Sequence, residues 1–126
     1  DEINIKTDIL LIDAYGESSK IFNIAKYVFL GGSLIKHGGQ NPIEPSRLGC
    51  KIFHGPNIDN FFEIYEYLKS LKIANQIYNS EELSQSLVEE FKLEEVDNNQ
   101  NIKKIDNYGK SILNNVINDL KKYINI

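Results

Sequence analysis

The run GGSLIKHGGQNPIEP, Gly31 to Pro45, decides how the rest of the chain is read. It sets four glycines, Lys36-His37, Asn41-Pro42 and Glu44 behind an apolar run, YVFL at 27–30. Glycine loses more backbone entropy on folding than any other residue and adds no side chain to a core. A stretch this rich in it suits a loop whose backbone approaches a ligand closely. Asn41 is a good N-cap, and Pro42 at the first helical position gives up an amide that has no partner there anyway. A short helix is therefore predicted over Pro42 to Leu48, ended by Gly49 as its C′ residue.

Outward from this loop, the chain alternates strand-like and helix-like runs. ILLID (9–13) reads as a strand buried on both faces. ESSKIFNIAKY (17–27) reads as a helix, with Ile21, Ile24, Ala25 and Val28 at helical spacing and Ser18 or Ser19 as cap. YVFLGG and CKIFHG give the second and third strands. Residues 58–71 form an amphipathic helix with Phe61 or Phe62, Ile64, Tyr65 and Leu68 inward. IANQIY is a weaker fourth strand. Ser80 is expected to cap SEELSQSLVEEFK, whose Leu83, Leu87, Val88 and Phe91 share a face. EEVDNNQNIKKIDN reads as a polar linker or a frayed helix start, and a last helix at about 107–124 carries Ile112, Leu113, Val116, Ile117, Leu120 and Ile124. Residues 94–126 are thus a linker plus a C-terminal helix packing on the domain. The alternation implies one α/β domain over 1–126, a Rossmann-like parallel sheet with helices on both faces.

With 126 residues and 41% apolar content, the chain suits one domain with a real core. Its net charge of -4 argues against a nucleic-acid partner, which calls for a clustered basic face. The single cysteine, Cys50, forms no intrachain disulfide and reads as a buried thiol. No apolar run approaches a membrane-spanning length. The absence of methionine suggests a segment of a longer protein.

In parallel α/β sheets, ligands bind outside the carboxyl ends of the strands. Seven of the eight glycines lie between Gly16 and Gly55, on the loops expected at that edge. Gly38 and Gly39 before a capped helix suit a phosphate or carboxylate. Glu44 either closes a capping box on Asn41 or accepts hydrogen bonds from a pair of sugar hydroxyls. Glu17 is likewise either a first-turn helix charge or a ligand contact. Lys36 and His37 are either solvated loop residues or local positive charge for an anion. His54 reads as a turn residue. There is no metal-ligand spacing, no phosphate-loop or dinucleotide fingerprint, and Ser33 lacks a nucleophile-elbow context. Neither a metal nor a cofactor is expected.

DILLIDAYGE followed by YVFLGGSLIKHGGQNPIEPSRLGCKIFHGPNIDNF resembles the C-terminal half of the 3-deoxy-D-manno-octulosonic acid (Kdo) transferases. The shared features are a GE turn, GGSL, GG-x-N-x-x-EP and a strand ending in GP. They cover about Asp8 to Phe62 and are specific as a set. The resemblance implies the C-terminal half of a two-Rossmann-domain (GT-B type) glycosyltransferase, binding CMP-Kdo. Tyr15, Gly16, Glu17, Asn41, Pro42, Ile43 and Glu44 would hold the CMP part, with Glu44 on the ribose hydroxyls. Gly31, Gly32, Ser33, Gly38 and Gly39 would shape the floor near the phosphate and the Kdo carboxylate. The family often has threonine-methionine before GE, where this chain has Ala14-Tyr15. The catalytic base, the lipid A precursor and the membrane contact belong, by the same resemblance, to an N-terminal half absent here. The full protein is expected at the cytoplasmic face of the bacterial inner membrane, and this fragment as soluble and inactive alone. The alternatives are the donor domain of another GT-B transferase or an epimerase using a UDP-sugar, and a nucleotide-binding module without chemistry.

Overall fold

The computed structural model describes residues 6–93 and 99–124. Its β-branched and aromatic runs form three short parallel strands: β1 (Tyr27–Leu30), β2 (Lys51–His54) and β3 (Ala74–Gln76). They lie in chain order, with Tyr27 opposite Lys51 and Ile52 opposite Ala74. Between and after them come α1 (Ser18–Phe22), α2 (Ile43–Arg47), a 3-10 turn (Asp59–Phe61) leading into α3 (Phe62–Ser70), α4 (Ser80–Lys92) and α5 (Asn99–Ile124).

Alternation along the strands sorts the two faces of the sheet. Leu30, Ile52 and Ala74 turn to one side and join Ile58, Tyr65, Leu68, Ile73 and Ile105 in the main core. Burying each large apolar side chain there contributes about 1.5–3 kcal/mol. α3 and the start of α5 cover this face. On the other face, Tyr27 meets Phe91 of α4 edge-on at 5.1 Å, and Lys51 pairs with Glu90. Helices therefore cover both faces, as the sequence implied.

The predicted first strand does not form. A strand exists only with a ladder partner, which an apolar run cannot reveal by itself. Residues 9–13 pair with nothing among the described residues, and Ile9 and Leu11 are 89% and 86% exposed. The sheet thus has three strands where four were expected. The helix read over 17–27 also ends early, at Phe22; Ile24 stands exposed, and Val28, read as on its apolar face, belongs to β1.

Several local signals are realised with changed details. Gly49 adopts φ +87, and the amides of Gly49 and Cys50 donate to Ser46 and Pro45 carbonyls, closing α2 as a glycine C′ should. Asn79, not Ser80, caps α4: it is extended, and its Oδ1 accepts the Glu82 amide at 2.9 Å. Phe61 packs on the core while Phe62 is exposed.

The polar stretch read as a linker or a frayed helix start is helical from Asn99, residues 94–98 lying outside the described residues. Tertiary anchors override its poor helix propensity. Ile105 is buried, Arg47 Nε donates to Asp106 at 2.8 Å, and Tyr67 stacks on Tyr108 at 4.2 Å. Beyond Lys110 the apolar stripe is present but uncovered: Ile112, Leu113, Val116, Ile117, Leu120 and Ile124 are all exposed. No helix among the described residues is long and apolar enough to cross a membrane.

Candidate functional site

The carboxyl ends of β1 and β2 are tied together by Ser33. Its fully buried hydroxyl donates to the Leu30 carbonyl at 2.6 Å and accepts the Gly55 amide at 2.8 Å. Its carbonyl accepts from both the backbone and the side chain of Asn57. The buried side chain of the GGSL serine therefore builds the loop from inside. Gly55 belongs to the same knot, since a Cβ there would lie 2.3 Å from the Ser33 carbonyl oxygen.

The second glycine pair closes the loop. Gly38 and Gly39 have φ +95 and +78, and the Gly39 amide donates to Gly32 at 3.1 Å. A Cβ on Gly38 would strike the Asn60 amide at 2.3 Å, so Asn60 packs directly over it. These glycines answer internal packing as much as any ligand. Gly31, by contrast, has open space above it. Lys36 and His37 are exposed, and the His37 ring lies over Gly32.

The loop then enters α2 under two constraints. The buried Tyr65 hydroxyl donates to the Gln40 carbonyl at 2.8 Å, and Asn41 Oδ1 accepts the Ile43 amide at 3.0 Å. The N-cap is Pro42, one residue later than read: it is already in helical φ/ψ and its carbonyl accepts the Ser46 amide, while the Asn41 side chain caps from the residue before. The expected anion cradle here is thin, however. Pro42 and Pro45 have no amide hydrogen and that of Ile43 is taken, so the first turn of a five-residue helix offers only Glu44's amide. The capping box is also absent. The Glu44 carboxylate turns across to α1, where the Ser19 hydroxyl donates to it. Glu44 is otherwise exposed, on the rim of a groove of about 410 Å³ that also involves Ser19, Asn23, Asn41, Arg47 and Asp106. That volume lies in the range of small-molecule sites.

The Ser19 bond brings the start of α1 beside the start of α2. Gly16 turns the chain at φ +81, and the Glu17 carbonyl accepts the first amides of α1. The Glu17 carboxylate pairs with Lys20 at 2.9 Å in an exposed bridge. Tyr15 is fully exposed.

Behind the loop, His54 and Tyr65 meet at 4.3 Å between ring centres. A carbonyl only accepts, so the 2.7 Å contact from His54 Nδ1 to the Gly55 carbonyl places the proton on Nδ1. Burial pushes His54 below the usual histidine range and Tyr65 up to about 12. His54 is a core residue, not part of a turn. Tyr65, Asn57 and Asn60 were not legible as loop supports, because their partners lie 20 or more residues upstream. A larger space, about 910 Å³ between Tyr27, Lys51, Lys72 and Phe91, opens at the opposite, amino ends of the strands, and Asn23 and Leu48 line both it and the groove. No group of three or more metal-ligating side chains converges among the described residues.

Fold and site together define a parallel α/β domain whose carboxyl edge carries a glycine-rich loop and a glutamate at a helix start. No family profile matches the chain. Individual proteins do. Over 86 residues the chain is 33% identical to the 3-deoxy-D-manno-octulosonic acid transferase of Haemophilus influenzae, a stretch that is 68% of this chain and 20% of that protein. The transferase of the same name from Aquifex aeolicus is 28% identical over 86 residues, 68% of this chain and 24% of its own. That of Rickettsia bellii is 36% identical over 76 residues, 60% of this chain and 18% of its own. The chain is a relative of the Kdo transferases, matching about a fifth to a quarter of their length.

Proposed function

We propose that the chain is the sugar-nucleotide-binding part of a glycosyltransferase that moves Kdo from CMP-Kdo to a lipid A precursor in lipopolysaccharide synthesis. The observation that carries this is the placement of Asn41 and Glu44. Both stand at the start of α2, at the carboxyl edge of a parallel sheet, beside a groove of nucleoside size. In this reading the exposed Glu44 carboxylate accepts the ribose hydroxyls. The backbone from Tyr15 to Glu17 and from Asn41 to Ile43 encloses the rest of the CMP. Gly31 and Gly32 form the floor near the phosphate, Ser33, Gly38 and Gly39 fix that floor, and Lys36 and His37 supply positive charge for the anionic sugar. The acceptor, the catalytic base and the contact with the inner membrane's cytoplasmic face belong to a second, GT-B-type half, so this chain alone binds donor weakly and transfers nothing.

Calorimetric titration with CMP, UMP and AMP tests the reading. CMP should bind most tightly; a preference for UMP or AMP sinks it. Glu44→Gln keeps the shape and removes the charge. It should weaken CMP binding about tenfold while stability stays within about 0.5 kcal/mol, as for an exposed residue without a capping role.

A further inference from the structure

We infer that Ser19 is a positioning residue for Glu44, setting its carboxylate for a ribose cis-diol; this rests on the ribose role just proposed for Glu44. Glutamate has three side-chain torsions, and an exposed one spreads over many rotamers unless something holds it. Among the described residues, the only hydrogen bond that the Glu44 carboxylate accepts comes from the Ser19 hydroxyl, on Oε1. Two carboxylate oxygens offer about four acceptor positions, so one serine hydroxyl leaves room for both hydroxyls of a diol.

Ser19 is itself held. The Asn23 backbone and side-chain amides both donate to its carbonyl, at 3.1 and 2.9 Å. Ser19, Asn23 and Glu44 line the same groove. The bond crosses 25 positions of sequence and joins α1, just after the Gly16-Glu17 turn, to the first turn of α2. A carboxylate aimed before the ligand arrives loses less freedom on binding, so the effect appears as affinity for the diol. A plain tether between two helices would alter stability and leave diol recognition untouched.

The test compares CMP with 2′,3′-dideoxy-CMP, which lacks both ribose hydroxyls, on the wild-type chain, Ser19→Ala and Ser19→Thr, with melting temperatures in parallel. The wild type should prefer CMP. Ser19→Ala should narrow that preference by about three- to tenfold, the size of one ordinary hydrogen bond, and Ser19→Thr should restore it. A wild type that discriminates, with Ser19→Ala discriminating equally well, overturns the positioning role and leaves the ribose role standing. A wild type that binds both nucleotides equally overturns both together.

Discussion

The hydroxyl of Ser33 accepts the amide of Gly55 at 2.8 Å, joining the ends of β1 and β2 beneath the glycine-rich loop. Ser33→Ala leaves that buried amide without its acceptor, and leaves the Leu30 carbonyl without its donor. A cost of about 1–3 kcal/mol is expected in urea unfolding. Gly55→Ala should cost more, because its new methyl meets backbone atoms of Ser33 and Leu34 at 2.3 to 2.6 Å, which cannot swing aside. The reverse order of severity would refute this account of the loop.

Tyr65→Phe removes only the hydroxyl that holds the Gln40 carbonyl. It should cost about 1 kcal/mol of stability. Because Gln40 precedes the Asn41 cap, nucleotide affinity should fall about twofold or more in the same variant, read by titration. An affinity loss without a stability loss would contradict the proposed support role.

Acid should loosen the core through His54. Burial lowers its folded-state pKa, so between that value and the unfolded value of about 6.5 the unfolded chain binds more protons. Stability is then fully present above about pH 6.5 and declines as the pH falls toward the folded value. His54→Gln should be less stable at neutral pH, yet should lose less on going from about pH 7.5 to 5. Urea midpoints across that window check the difference in slope.

The two halves of α5 should behave differently. Ile105→Ala empties a fully packed position and should cost about 2–4 kcal/mol. Deleting the helix after Lys110 removes only exposed side chains, and should change the unfolding free energy by no more than about 0.5 kcal/mol.

What the sequence disclosed follows the range of the interactions. The Asn41 side-chain bond to Ile43 and the Gly49 stop depend on neighbours two to five residues away, and both were legible, with the N-cap itself falling one residue on, at Pro42. Glu44 was ambiguous because its true partner, Ser19, lies 25 residues upstream, beyond the reach of spacing rules. The apolar run at 9–13 looked like a strand because hydrophobicity reports a wish for burial, while a ladder needs an edge to join. The Asn-rich start of α5 looked like a linker because its order comes from Arg47, Tyr67 and the core around Ile105. The serine of GGSL, placed by the resemblance on the floor near the phosphate, ties β1 to β2 through Leu30 and Gly55, and the Gly55 partner lies 22 residues away, beyond spacing rules.

The strand order bears on how the chain folds. β1, β2 and β3 sit side by side as they occur along the chain, so neither pairing waits for a later strand to slot between earlier ones. Each crossover closes a loop of about 20 residues, and closure entropy rises only slowly with such lengths. Parallel pairing is slow where partners are far apart in sequence, and here they are as near as a helix-containing crossover allows. The sheet can be laid down strand by strand as the chain emerges, with the glycine-rich loop fixed at the first pairing.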